Sequence, residues 1–246
     1  MSSIDRALDA LELVAGGHEL KLTDVAKELG VSRATAFRLL VNLERRDYVE
    51  HDAQRHVYYV GRRLSALASD AEDRTVVVLA KPGMNQLRQF VGETVNLAVL
   101  RHNELVYATV LDVERSLRLA ARVGSVAPLH ATALGKAVLA TLSDERAMEL
   151  AGDEPYKKFT SNTLTFAVDL LSELACIRER GFAVDREEAE VGATCIAAAL
   201  KRSDGQAVGA ISVSGPTARM TSLSNEDVGK RVQALCAEVS KALARR

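Results

Sequence analysis

The stretch LTDVAKELGVSRATAFRLLVNLE, from Leu22 to Glu44, decides how the chain is read. Thr23 is a capping residue type, Asp24 follows it in the first turn, and Val25, Ala26 and Leu29 recur along a short helix that stops at Gly30. Glycine there supplies the left-handed backbone a tight turn needs. Ser32 then starts a second helix. Two helices around a turn of about four residues, built on Gly30, Val31 and Ser32, are the helix-turn-helix arrangement. Upstream, Ser3 is expected to cap a further helix on Ile4, Ala7, Leu8, Leu11 and Val14, closed by Gly16-Gly17. Downstream, Tyr48 to His51 and His56 to Val60 are rich in aromatic and β-branched residues, flank Asp52-Ala53-Gln54-Arg55 and end at Gly61, which reads as a hairpin. Three helices and a hairpin make a winged helix-turn-helix.

Wound at about 100° per residue, the helix after Ser32 gathers Ala36, Phe37, Leu39, Leu40, Val41 and Leu43 on a side expected to be core. The other side collects Ala34, Thr35, Arg38, Asn42, Arg45 and Arg46. Those residue types suit a major groove. Arg38 can address guanine O6 and N7, Ala34 and Thr35 a thymine methyl, and Asn42 an adenine or a phosphate. Ser32 and Arg33, at the positive end of the helix, suit phosphate. Arg45, and Arg55 at the hairpin tip, complete the expected DNA contacts. The bland alternative is a solvated helix face; the short preceding helix, the glycine turn and the basic hairpin together favour DNA. Net charge is −1, but its distribution is uneven: residues 1–30 carry −3 and residues 31–63 carry +3, a weak electrostatic footprint for phosphates.

The whole chain of 246 residues is long enough for one to two domains, and 48% hydrophobic with 26% charged residues excludes disordered, collagen-like and disulfide-scaffold classes. No apolar run approaches the ~20 residues of a membrane helix, and Asp5, Arg6, Asp9 and Glu12 interrupt any leader-like start, so a cytoplasmic protein with no membrane partner is expected. Cys176, Cys195 and Cys236 form no C-x-x-C pair; neither a disulfide framework nor a zinc ribbon fits, and no cofactor is expected. Arg62 to Ala80 reads as a mostly helical connector punctuated by Pro82-Gly83. Thereafter strands are expected over Thr94 to Leu100, Leu105 to Leu111, Ser116 to Ala121, Phe182 to Asp185, Cys195 to Leu200 and Val208 to Ser214. Helices are expected over Ala133 to Thr141, from Ser143, over Val168 to Arg180 and from Ser224. The fold class is α+β: a winged helix-turn-helix over 1–61, a linker helix over 62–81 and an α/β domain over 82–246.

At this point the chain resembles the IclR family of bacterial transcriptional regulators. The N-terminal likeness runs through Leu22-Thr23-Asp24-Val25-Ala26, Leu29-Gly30, Ser32, Thr35, Arg38-Leu39-Leu40, Leu43-Glu44 and Tyr48-Val49. The C-terminal likeness is sharper. It comprises Gly92-Glu93-Thr94-Val95, Pro128 through Ala137, Arg180-Gly181-Phe182-Ala183-Val184-Asp185, Glu187-Glu188, Gly192, Cys195-Ile196-Ala197 and Ser212-Val213-Ser214-Gly215-Pro216. The resemblance implies a GAF-like effector-binding domain behind the DNA-binding one, homodimers that often pair into homotetramers, and repression or activation under control of a small metabolite, with repression the expected sign. A dimer implies a pseudo-palindromic double-stranded operator. Two positions depart from the family pattern: Asp47 where glycine is usual, at a left-handed turn Asp tolerates, and Ala199 where proline is usual.

Carried onto this chain, the family's ligand pocket involves the loop Ala131 to Gly135, with the N–H groups of Ala133 and Leu134 at a helix start that attracts carboxylate, and across from it Asp185, Cys195, Ser212 and Ser214. Independently, Ser212 and Ser214 are two apart on an expected strand, so both hydroxyls share one face. Asp185 beside an anion is expected to accept a hydroxyl or water, or to be protonated when ligand binds. His130 is a second-rank candidate that either lines the pocket or hydrogen-bonds within its turn. A carboxylic acid is the expected effector. Rival readings are an enzyme, or a metal site, using His130, Cys195 and Asp185, and a dimerisation module without ligand. Gly135-Lys136 makes no phosphate loop, because Ala137 stands where Ser or Thr is required.

Overall fold

In the computed structural model the described residues are 2–16, 19–115, 119 and 121–245, with Ser69 described by its backbone alone. Helix α1 (Ser3–Ala15) is capped by Ser2 rather than Ser3: the Ser2 hydroxyl accepts the Asp5 N–H while the Asp5 carboxylate accepts the Ser2 N–H. Its buried residues are Ala10 and Val14, while Ile4 and Leu8 lie exposed. Helix α2 (Leu22–Glu28) is likewise capped earlier than expected, at Lys21, two residues before Thr23, because Asp24 accepts the Lys21 N–H and closes the first turn. Gly30 is left-handed (φ +61°), and α3 (Arg33–Glu44) starts on Ser32, whose Oγ accepts the Thr35 N–H at 3.2 Å. Asp47 follows in a left-handed conformation (φ 59°). Strands β1 (Val49–Asp52) and β2 (Val57–Val60) pair antiparallel, Val49 opposite Val60. Gly61 is required where they close, since a Cβ there would sit 2.3 Å from the Asp47 carbonyl oxygen. Ala10, Val14, Val25, Ala26, Ala36, Leu40, Val49 and Tyr58 form this unit's core.

Helix α4 (Arg62–Val91) is longer than the expected connector. It passes through Pro82 without stopping. Proline removes one backbone donor, but Pro82 and Val78, whose carbonyl loses its partner, are both exposed, so water can satisfy that oxygen. Gly83 has its own reason: a Cβ there would meet Leu235 at 2.2 Å. The chain divides into two compact units within this helix, Met1–Glu72 and Asp73–Arg246.

The second unit contains β3 (Thr94–Arg101), β4 (Glu104–Leu111), the short β5 (Val126–Ala127), α5 (Ala133–Leu139), α6 (Asp144–Ala151), α7 (Ala167–Arg180), β6 (Ala183–Arg186), β7 (Ala193–Lys201), β8 (Ala207–Pro216), the single-turn α8 (Thr217–Met220) and α9 (Asn225–Leu243). Ser143 and Ser224 cap α6 and α9, and Gly181 ends α7 at φ +83°. His102 and Asn103 both take positive φ, which a two-residue hairpin turn requires. The strand expected over Ser116 to Ala121 lies outside the described residues except at Leu119 and Ala121. The strands form one antiparallel sheet in the order β5-β4-β3-β8-β7-β6.

Strand alternation sorts side chains between its faces. Val95, Leu97, Val99, Ile196, Leu200, Ile211 and Val213 pack with Val76, Met84, Val232 and Val239 of α4 and α9. The opposite face carries Ala98, Ala197 and Ala210 against Leu134, Val138, Leu139, Leu170 and Leu174 of α5 and α7. Small residues on that second face leave room at one end of the sheet.

Candidate functional site

In the first unit, Ser32, Arg33, Ala34, Arg38, Asn42 and Arg45 are all exposed along α3 and its cap, and Thr35 is half-buried. Thr35 is partly committed, its hydroxyl 2.9 Å from Ser32 Oγ, and Arg45 donates to Asn42 Oδ1 at 3.3 Å. Arg55 is on the hairpin, where its guanidinium pairs with Glu19 and donates to the Tyr59 hydroxyl at 2.9 Å. Exposed pairs of this kind contribute little to stability, about 0–1 kcal/mol, so the arginine can be drawn off by a phosphate. The expected core side of α3 needs correction. Only Ala36 and Leu40 are fully buried, while Phe37 is 49% and Val41 39% exposed. Both stand on the same outward stripe as Ala34, Arg38 and Arg45. Periodicity placed them on the edge of an apolar arc, and the small three-helix core is too narrow to cover all of it.

In the second unit a cavity of about 270 Å³ opens over the second face of the sheet. Ala133, Leu134, Asp185, Cys195, Ser212 and Ser214 all line it. Register explains the convergence: Asp185 lies opposite Cys195, Cys195 opposite Ser214, and Ser212 opposite Asn96. Directly paired residues project to one side. Thr132 caps α5 and takes the Gly135 N–H at 3.0 Å, so among the described hydrogen bonds the N–H groups of Ala133 and Leu134 have no partner. Asn96 and Tyr107 line the same cavity, and neither was anticipated. Asn96 Nδ2 donates to Ser212 Oγ at 3.2 Å and Ser214 Oγ at 3.1 Å. Among the described lining residues none is cationic; the charged types are Asp185 and Glu190.

Electrostatics divide these groups. Asp185 is 1% exposed, and burial pushes its carboxyl up to about 7 even though its Oδ1 accepts the Glu188 N–H at 2.7 Å; Glu188 raises it further and Lys136 opposes. Burial pushes the Cys195 thiol to about 12, with Asp185 adding to the effect. The Tyr107 phenol is raised for the same reason, burial first. At neutral pH the thiol and the phenol are neutral, and Asp185 is divided between its protonated and ionised forms. His130 does not line the cavity. Its ring stacks on Tyr156 and Phe159, and Nε2 lies 2.9 Å from the carbonyl oxygen of Lys157, a residue outside its own turn, so neither expected alternative describes it. Ala199 also lies away from this cavity, beside Ala137 and Ile177 in a separate groove. No group of three or more His, Cys, Asp or Glu suited to a metal occurs among the described residues.

A helix-turn-helix with a hairpin, followed by a cavity-bearing α/β unit, defines a DNA-binding regulator. Residues 3–53 match the IclR helix-turn-helix domain and residues 68–241 the bacterial transcriptional regulator IclR C-terminal domain. The chain belongs to the IclR family of transcriptional regulators. It is 35% identical over 243 residues to the HTH-type transcriptional repressor AllR of Escherichia coli strain K12, covering 98% of this chain and 90% of that protein. It is also 35% identical over 220 residues to the HTH-type transcriptional regulator BhcR of Paracoccus denitrificans, covering 89% and 79%. The crystal structure of Thermotoga maritima IclR superposes with a TM-score of 0.66 at 27% identity, covering 98% of each chain. No helix among the described residues is long and apolar enough to cross a membrane.

Proposed function

We propose that this chain is a repressor whose operator affinity is changed by a small carboxylate held in the second unit's cavity. The observation that carries the reading is a cavity lined on facing sides by neutral donors, Ser212, Ser214 and Tyr107 on the sheet and, across from them, the amides of Ala133 and Leu134 that have no partner among the described hydrogen bonds, beside an acid whose pKa is pushed up to about 7. With no cation among the described lining residues, one anionic group is matched by hydrogen bonds, and protonated Asp185 donates instead of repelling. In this reading the cavity binds ligand without turning it over: Cys195 is a neutral thiol and His130 is engaged with Lys157 outside the lining, so these two do not form a nucleophile-base pair.

In this reading residues 1–61 bind DNA, 62–81 link, and 82–246 bind the effector. Arg38 reads a base; Ala34, Thr35 and Asn42 assist it; Ser32, Arg33, Arg45 and Arg55 hold phosphates. The protein acts in the cytoplasm as a homodimer or homotetramer on a pseudo-palindrome with half-sites about one helical turn, or a multiple of it, apart. The effector binds two conformations unequally and so shifts operator affinity by linkage.

The test is binding of promoter fragments from the gene's own neighbourhood, with and without a panel of small carboxylic acids. At least one acid should shift DNA affinity, and Ser212→Ala/Ser214→Ala should abolish the shift while acid-free DNA binding persists. A protein that ignores every fragment in dilute buffer sinks the regulator reading. One that binds DNA but responds to no acid sinks the effector reading.

A further inference from the structure

Ser212 and Ser214 both depend on Asn96. It sits in β3 opposite Ser212, is 2% exposed, and gives Nδ2 hydrogens to both serine oxygens. Its other amide atom, Oδ1, is buried and has no hydrogen-bond partner among the described residues. Asn96 lines the cavity, and both hydrogen bonds that hold its amide run to the cavity serines.

We propose that Asn96 is the residue that sets effector specificity, by fixing the polarity of the serine pair. A serine hydroxyl left alone accepts as readily as it donates, since its proton rotates to suit. Once Asn96 has filled one of the two lone pairs on each oxygen, each hydroxyl keeps its proton to give and is biased toward donating. The two oxygens are 3.5 Å apart, so each proton has only a marginal partner in the other serine, and Ser214 has besides it, among the described residues, only the weakly accepting Cys195 sulfur. A ligand carboxylate is the stronger acceptor for both. The pair becomes a receptor for a carboxylate oxygen and a poor one for the neutral primary amide of the same acid, whose NH2 needs acceptors. This inference rests on the carboxylate reading above, and it adds the group that enforces it.

The experiment titrates the full-length protein calorimetrically with lactate and lactamide, benzoate and benzamide, and 4-hydroxybenzoate and 4-hydroxybenzamide. Wild type should bind at least one acid, about 100-fold or more above its amide. Asn96→Leu frees both hydroxyls and should cut that ratio by tenfold or more. In a Ser212→Ala background, where one serine hydroxyl remains, the same Asn96→Leu change should cut the ratio by less than it does in wild type, which a merely structural role would not produce. Asn96→Asp, whose carboxylate takes both serine protons, should lose the acid and favour the amide. Far-UV circular dichroism serves as the fold control for each variant. An Asn96→Leu protein with the wild-type acid-to-amide ratio overturns the inference and leaves the carboxylate reading intact. A wild type that binds none of the three acids overturns both.

Discussion

Lys136 Nζ lies 2.6 Å from each carboxylate oxygen of Glu188 and 2.9 Å from the Val184 carbonyl oxygen, with the two side chains 1% and 9% exposed. This ion pair ties α5 to the turn between β6 and β7, and the Glu188 N–H in that turn donates to Asp185 Oδ1. The charge pair behind the wall thus adjusts an acid whose shift burial sets first. Breaking one partner of a buried pair leaves the other charge uncompensated, which destabilises by about 3–5 kcal/mol, whereas replacing both with apolar groups is often neutral. Lys136→Met should therefore lose stability of that order in urea denaturation, and Lys136→Met/Glu188→Leu should recover most of it. Equal losses in the single and double variants would show that the pair is not the source.

Asp185 should make the protein's stability fall as pH rises. Its carboxyl is pushed up from 3.8 to about 7 by burial first, with Glu188 adding and Lys136 opposing. Between those values the folded state binds more protons than the unfolded one, so the stability is fully present below the unfolded pKa and is lost as pH climbs through about 7. At ~1.4 kcal/mol per pKa unit the loss is on the order of 4 kcal/mol. Asp185→Asn keeps an acceptor for the Glu188 N–H and cannot ionise. It should match wild type at pH 4 and exceed it at pH 8 in denaturant titrations. Carboxylate affinity should also decline above about pH 7 in wild type, roughly tenfold per pH unit, and stay level in Asp185→Asn. A wild type whose affinity is flat from pH 6 to 8 contradicts the protonated form.

Helix caps and strand faces were legible because each rests on local chemistry. Ser32, Ser143, Ser224 and Gly181 act where their side chains or φ angles demand, and Ser212 and Ser214 share a face by simple alternation. What needed the third dimension was anything set by a neighbour distant in sequence. The helix through Pro82 depends on which side of α4 meets water, whereas the Ser2 cap was missed although its partner Asp5 is only three residues on. Phe37 and Val41 have core-like periodicity, yet only the size of the surrounding core decides that they stay outside. Asn96 was a lone polar residue in an apolar strand, visible as an exception but without meaning until β8 was laid beside it. His130 and Arg55 were chosen by residue type, and their partners Lys157 and Glu19 are not implied by spacing.

The cysteines should sort themselves by reactivity. Cys176 is exposed on α7, whereas burial pushes the thiols of Cys195 and Cys236 up to about 12. Only thiolate attacks an electrophile at a useful rate. A disulfide reagent at pH 8 should modify one thiol per native chain quickly and all three in urea, and Cys176→Ser should remove the fast phase. Rapid labelling of Cys195 in the native Cys176→Ser protein would mean the cavity wall holds an activated thiol, and would revive the enzyme reading.

The outward stripe of α3 has an apolar centre between cations: Phe37 and Val41 beside Arg38 and Arg45, all exposed. In a major groove the apolar partner of such a side chain is the thymine C5-methyl, while Arg38 suits guanine. Burying one methyl stabilises by about 0.8 kcal/mol, close to a fourfold change in affinity per contacted thymine. Operator DNA selected by the wild type and resynthesised with deoxyuridine for thymidine should bind more weakly by at least that factor, with the phosphates unchanged. Phe37→Ala/Val41→Ala should show a smaller deoxyuridine penalty than wild type, because the two large apolar side chains are gone and only Ala34 and Thr35 remain to meet the methyls. Arg38→Ala should lose about 1–3 kcal/mol on the selected site and much less on random DNA, since a base contact and not a phosphate contact is removed. If the wild type binds thymidine and deoxyuridine operators equally, the exposed apolar pair does not read sequence, and the stripe contacts DNA through its arginines alone.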